Sequence, residues 1–212
     1  MNATTAVPRC RRQTVTVLFI DIVGFTSLVE QLDCADVHDL QVDYFGTVSA
    51  AVRAAGGVVE KFIGDAVMAV FGATCPDAGT PGAAERAAAD AAEGGLLVQE
   101  ALRGRLLAGR WPIRTRVGIA TGDAIVDLDA ARDGGYGMVS GSVVATAARL
   151  QAYAPHDTVV VCAETQRASA EAVAYQEMPP ISVAGKRAPV ELWRALHPRT
   201  ETAAAPVLQA CG

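Results

Sequence analysis

The sequence predicts an α+β fold: a mostly antiparallel sheet with helices packed on it. Three observations predict it. Short β-branched, apolar runs such as Thr14 to Ile20 (T-V-T-V-L-F-I) alternate with longer stretches whose apolar residues recur every three or four positions. Two of the apolar runs, Val58 to Phe62 and Ala66 to Phe71, are separated only by Ile63-Gly64-Asp65, which reads as a β-hairpin. The resulting order of strand, helix, hairpin, helix and strand is a β-α-β-β-α-β core of the ferredoxin-like kind, with its helices on one face of the sheet.

Each element has its own signal. Thr14 to Ile20 reads as a buried strand that stops at Asp21, and Gly24 to Leu32 as a short helical segment. The next helix runs from about Asp36 to Ala55, because Val37, Leu40, Tyr44, Val48, Ala51, Val52 and Ala55 recur at helical steps. Asp33 or Asp36 can cap its start, and Gly56-Gly57 stops it. After the hairpin, Cys75 to Pro81 is a loop. Ala83 to Leu107 is an Ala-rich helix with an irregularity expected at Gly94-Gly95. Pro112 precedes a strand from Ile113 to Thr121, which Gly122-Asp123 is expected to turn into Ala124 to Leu128. Ala130 to Gly137 is a polar, Gly-rich excursion. Gly141 to Tyr153 reads as a helix, Thr158 to Cys162 as a strand and Val190 to Leu196 as the last strand. The expected domain plan is an N-terminal arm over 1–12, one folded domain over 13–197 and a flexible tail over 198–212.

Composition excludes several classes. Of the 212 residues 51% are hydrophobic and 19% charged, enough apolar content for a core and too much for a disordered chain. The formal net charge of −5 argues against a general nucleic-acid binder, which needs a basic surface to displace counterions. No apolar run approaches the roughly 20 residues that cross a bilayer, and no signal peptide follows the basic start, so a cytoplasmic protein is expected. The five Cys are scattered with no C-x-x-C, so reduced and mostly buried thiols are expected rather than a disulfide framework or a zinc site.

Two acids sit where chemistry is plausible. Asp21 follows a strand of apolar and Thr residues, and Asp65 lies in the turn between two more apolar strands. If those strands are neighbours, both carboxylates emerge at one edge of the sheet, a donor pair that suits Mg²⁺ or Mn²⁺ together with substrate phosphates. The plain alternative is a helix cap at Asp21 and an ordinary turn residue at Asp65.

The wider pattern decides between them. Phe19-Ile20-Asp21-Ile22-Val23-Gly24-Phe25-Thr26 and Lys61-Phe62-Ile63-Gly64-Asp65-Ala66-Val67-Met68 resemble the two metal-binding stretches of class III nucleotidyl cyclases. Arg116-Val117-Gly118-Ile119-Ala120-Thr121-Gly122, Ala147-Ala148-Arg149-Leu150-Gln151 and the closing Val183-Ala184-Gly185-Lys186 with Val190-Glu191-Leu192-Trp193 fit the same family, so the resemblance spans about residues 12 to 197. It implies a class III cyclase homology domain that makes cyclic AMP from ATP, with GTP as the alternative substrate. Two such domains would pack head to tail, as a homodimer or a heterodimer, with the active sites between them. Asp21, Ile22 and Asp65 of one subunit would hold two Mg²⁺ or Mn²⁺ ions per site. Backbone amides from Ile22 to Thr26, including Gly24 and Phe25, would cradle the triphosphate. The partner would supply Lys61 to read the base, Arg149 to neutralise charge on the α-phosphate, and Lys186.

The match departs from the family at three positions. The Asn expected four residues before the catalytic Arg is Ala145, which carries no hydrogen-bonding group. The Asp or Thr expected to read the base is Met138, at best a weak acceptor. Gly141-Ser142 replaces a frequent Gly-Asp, and Ser remains a good N-cap. The metal half of the site is thus intact and the partner half altered. Two readings follow: a slow adenylate cyclase with relaxed base choice, or a catalytically inactive cyclase-like module that binds nucleotide or dimerises. A diguanylate cyclase would need a Gly-Gly-Asp/Glu-Glu-Phe hairpin, and a P-loop nucleotidase its G-x-x-x-x-G-K-[ST] loop; neither stands here.

Overall fold

A computed structural model describes residues 10–74, 79–132, 138–181 and 189–199. Strand β1 (Cys10–Ile22) is followed by the short helix α1 (Phe25–Val29), the long helix α2 (Cys34–Ala54) and the hairpin β2 (Val58–Ile63) and β3 (Ala66–Phe71). Helix α3 (Ala83–Leu102), two short strands β4 (Leu106–Leu107) and β5 (Trp111–Pro112), and the long strand β6 (Thr115–Asp127) come next. The chain continues through α4 (Leu128–Arg132), β7 (Val139–Ser140), α5 (Ser142–Tyr153), β8 (Thr158–Cys162), α6 (Ala163–Ser169), β9 (Val173–Ile181) and β10 (Val190–Pro198).

The main sheet runs β2-β3-β1-β6-β8-β10-β9, with β7 paired to β6. Its first four strands, with α2 and α3, are the expected β-α-β-β-α-β core: β1 pairs antiparallel with both β3 and β6. Among the described strands only β6 and β8 run parallel. Strand β1 is central and is buried on both faces from Val15 to Ile20, which is why that stretch is apolar but for Thr16. Leu18, Ile20 and Ile22 face α2 and α3 with Tyr44, Val48 and Ala91, whereas Val15, Val17 and Phe19 face the other way, toward Val143, Ala147 and Leu150 of α5. The core helices share one face as expected; α5, outside that core, covers the opposite one.

Gly118 sets how closely α5 approaches. A Cβ there would lie 2.1 Å from the Gln151 backbone nitrogen and 2.5 Å from the Ala147 carbonyl oxygen, so no other residue fits without moving the helix. A buried hydroxyl chain, Thr16 to Thr121 (2.9 Å) to Thr165 (3.0 Å), joins β1, β6 and α6 and satisfies polar groups that would otherwise be stranded in the interior.

Several expectations need correction. Gly122-Asp123 does not turn the chain. Asp123 stays extended inside β6, opposite Thr14, and accepts from Arg12 (2.7 Å) and Thr14 (2.9 Å). Cross-strand pairing overrides the turn tendency of the dipeptide. Gly94-Gly95 does not interrupt α3; the two glycines let it pack, since a Cβ would stand 3.0 Å from Ala55 Cβ at the first and 3.1 Å from Ile119 at the second. Helix α3 stops at Leu102, and Leu106 and Leu107 instead pair with Pro112 and Trp111. Strand β1 begins at Cys10, so Arg11 and Arg12 are strand residues rather than part of an arm, and β10 continues to Pro198. Of the described cysteines, Cys10 and Cys34 are exposed and only Cys162 is buried, against the expectation of mostly buried thiols. Helix α6 and strand β9 lie where the sequence has no clear periodic signal. Among the described residues no helix is long and apolar enough to cross a membrane.

Gly118→Ala is expected to lower stability by about 1–3 kcal/mol through overpacking against α5, measured by urea denaturation. The loss should exceed that of an exposed Gly→Ala change such as at Gly46, whose Cβ would meet nothing within 4 Å.

Candidate functional site

The site is built where β1 ends. Asp21 and Ile22 are the last two residues of that strand, and the β2-β3 turn stands beside them because β3 is the next strand over. Ile63 and Ala66 close the hairpin, leaving Gly64 and Asp65 as the turn residues. Gly64 has φ +63, a conformation that tight hairpin turns require and that only glycine adopts without strain. The Ile22 N–H donates to Asp65 Oδ2 at 2.9 Å, so the turn and the strand end are tied together. Asp21 and Asp65, 44 residues apart in sequence, are thereby brought to one place. The Ile22 side chain is buried in the core, so its backbone oxygen is the donor it has to offer.

Electrostatics mark this corner. Burial pushes the Asp65 carboxyl above the usual carboxylate range; the Ile22 N–H opposes this, the Asp21 charge adds to it, and Arg116 counters it. Arg116, opposite Asp21 on β6, reaches Asp21 Oδ2 at 3.1 Å and also donates to the Ala152 carbonyl at the end of α5. Below the pair lies Tyr44 of α2. Its hydroxyl is buried and unpartnered among the described residues. Burial first, then the charges of Asp65 and Asp21, raise its ionisation well above the ordinary tyrosine range. The helical period of α2 places Tyr44 in the core, and Arg116 stands out in the sequence only as part of a motif. Neither has a local signal, because each acquires its role from a residue far away in the chain.

Two close carboxylates that repel one another, with one held by a guanidinium, are a donor set that fits divalent cations. Among the described residues no cluster of three or more His, Cys, Asp or Glu side chains exists. Asp21 and Asp65 would hold such ions incompletely, leaving coordination positions for water and phosphate oxygens.

The remaining expected residues fall as follows. Gly24 precedes α1 with φ +73, and no side chain caps the helix at Phe25 and Thr26. The amides of Ile22 and Val23 are already used, by Asp65 and by the Arg114 carbonyl (2.8 Å), so the expected anion cradle narrows to Gly24, Phe25 and Thr26. Lys61 lies opposite Met68, whose side chain is on the α5 face, and its ammonium is 3.2 Å from Glu60. Arg149 is partly exposed on α5, one turn after the exposed Ala145. Met138 is fully buried on the same face of the sheet. Lys186 lies outside the described residues.

Residues 7–195 match the family described as Adenylate and Guanylate cyclase catalytic domain. An uncharacterised protein of Rhizobium meliloti is 34% identical over 188 residues, 87% of this chain and 17% of that one. Adenylate cyclase 1 of the same organism is 33% identical over 144 residues, 66% of this chain and 21% of that one. The chain thus spans about a fifth of the length of these curated relatives. Among solved structures, the adenylyl cyclase CyaB from P. aeruginosa superposes with a TM-score of 0.77 at 25% identity, covering 91% of this chain and 98% of that one. A guanylyl cyclase does so with a TM-score of 0.75, also at 25% identity, covering 92% and 98%.

Asp65→Asn is expected to stabilise the metal-free protein, because the amide keeps an acceptor for the Ile22 N–H and removes a disfavoured charge. A carboxyl whose folded ionisation is raised weakens the fold where it is charged. The gain in Tm should therefore be present at neutral pH and shrink as pH falls through the carboxylate range; a gain that grows on acidification contradicts this. Tyr44→Phe, which deletes a buried hydroxyl without a partner, should leave stability unchanged or raise it by up to about 1 kcal/mol in urea titrations.

Proposed function

Because the chain belongs to the family of adenylate and guanylate cyclase catalytic domains, we propose that it converts ATP to 3′,5′-cyclic AMP and pyrophosphate at a site shared with a second cyclase domain. The observation that carries this reading is the Asp21–Asp65 pair, two carboxylates from separate elements locked together by the Ile22 N–H.

In this reading Asp21, Asp65 and the Ile22 carbonyl hold two Mg²⁺ or Mn²⁺ ions. When bound, such ions make the ribose 3′-hydroxyl more acidic and offset the charge of the phosphates. The protein's own part is to place the reactants. The amides of Gly24, Phe25 and Thr26, which have no partner among the described residues, receive phosphate oxygens at the start of α1. Arg116, paired with Asp21, adds a positive charge at the same corner. Arg149 of the partner domain offers two parallel N–H groups to the α-phosphate as charge builds there. Lys61 of the partner donates to adenine N1. Lys186 belongs to the same partner set.

A shared site also accounts for surface that one chain leaves uncovered. Phe62 and Ile63, beside Lys61 on the hairpin, are 49% and 53% exposed, and Tyr153 at the end of α5 is 51% exposed. Large apolar side chains grouped around functional positions suit a protein interface. A head-to-tail homodimer gives two equivalent sites, and a heterodimer with another cyclase domain one or two.

One observation favours the second reading, an inactive nucleotide-binding or dimerisation module. Ala145 projects from the same exposed side of α5 as Arg149 and cannot hydrogen-bond a ribose. The loss of one preorganised contact costs about 10²–10³-fold in rate, which leaves a slow enzyme rather than none.

The test is formation of cyclic AMP from ATP, with GTP in parallel, by the full chain with Mn²⁺. Product above an Asp21→Ala control, by about 10²-fold or more, supports the cyclase. Ala145→Asn should raise turnover by about 10²-fold or more if the rest of the site is assembled. Binding of ATP without turnover in both proteins supports the module.

A further inference from the structure

Glu60 is the residue on the molecule whose burial most needs a reason. It is 2% exposed, its side chain is wholly buried, and neither carboxylate oxygen has a hydrogen-bond donor among the described residues. Glutamate is almost never found so deep unless paired, because desolvating a carboxylate is costly. Its ionic neighbour is the next residue: Lys61 Nζ stands 3.2 Å from Glu60 Oε2, and the Lys61 side chain is 26% exposed.

Adjacent residues on a regular strand point to opposite faces, so this pairing needs a local irregularity. The strand supplies it. Val59 pairs with Ala69 and Lys61 with Met68, which leaves Glu60 as an extra residue with no partner across the ladder. Such a bulge bends the strand and re-aims its side chains. Here it sets an immobile anion beside a half-open cation.

We propose that Glu60 is a positioning residue for Lys61 and thereby a determinant of base choice. This rests on the reading of Lys61 as the group that donates to the purine. Lysine is a poor reader by itself: its ammonium is a point charge on a flexible four-carbon stem. A mobile ammonium satisfies adenine N1 or, after a small shift along the base edge, guanine O6, since both accept. Held against a buried carboxylate, it is fixed at one place. Glu60 does not touch the base itself, since its side chain has no exposed surface. Met138, at the position where the family carries a base-reading acceptor, brings no charge to help.

The experiment compares affinities for ATP and GTP on the full chain with Mn²⁺, by displacement of a fluorescent N-methylanthraniloyl nucleotide. It uses wild type, Glu60→Gln, Glu60→Met, Lys61→Met and the double variant Glu60→Gln/Lys61→Met. Two substitutions at Glu60 are made so that one with wild-type circular dichroism and Tm carries the test. The expected result is a wild-type preference for ATP that falls about ten- to a hundredfold on loss of the Glu60 charge, with total binding largely kept. Lys61→Met should lose the same preference, and the double variant no more. If Lys61→Met abolishes the preference and the Glu60 variants keep it, Lys61 reads the base unaided and the proposal is wrong while the cyclase reading stands. If Lys61→Met keeps the preference, or wild type binds both nucleotides equally, the positioning role fails with the base-reading one. If wild type binds neither nucleotide, the cyclase reading itself fails and the proposal with it.

Discussion

The Ile22 N–H bonded to the Asp65 carboxylate is the contact on which the candidate site depends. Without it, the β2-β3 turn is a surface loop and Asp21 a strand-end acid held by Arg116. With it, a hairpin tip and a central strand share one rigid edge. The bond also draws Asp65 toward a second negative charge and out of water, and both raise the cost of keeping it ionised. The fold carries that cost locally and offsets part of it with Arg116. Repulsion between two such acids is what a cation held between them would relieve.

Rigidity at this edge comes from the sheet behind it. Strand β1 is paired on both sides from Thr16 to Ile20, and Asp21, the next residue, stays paired with Arg116 on β6. On one face, α2 and α3 pack closely because Gly94 and Gly95 remove side chains where Ala55, Phe71 and Ile119 press in. On the other, α5 comes down on Gly118 until its backbone nearly touches the strand. The placement of Arg149 is therefore set two residues away, by the fit of Gln151 and Ala147 over a glycine. A motif that reads as a string of letters, Arg116-Val117-Gly118, is in space an acid's counterion, a core residue and a docking point.

Much of this was legible in the chain. The apolar runs of β1, β2, β3 and β8 and the helical periods of α2 and α5 each have a local cause, so sequence spacing reveals them. Asp21 and Asp65 stood out because each interrupts an apolar run. What was hidden depends on partners distant in sequence. Gly122-Asp123 has turn chemistry but is held straight by Thr14 and Arg12. Strand β9, with Pro179 and Pro180, has a sequence unlike a strand, and it is tolerated because it lies at the rim of the sheet, where missing donors cost nothing. Arg116, Tyr44 and Glu60 have roles that exist only after folding: a pairing across β1 and β6, a hydroxyl beneath two acids, and a bulge that turns two neighbours the same way.

The two rims of the sheet differ from its centre in a way that bears on solubility. Both β2 and β9 expose backbone groups to which a stray strand from another molecule could add, the first step toward an extended aggregate. Each is blunted by a different device. Strand β9 lacks two donors at its prolines and shifts register against β10. Strand β2 is bent by the extra residue at Glu60. Self-association by strand addition is thus discouraged at both ends.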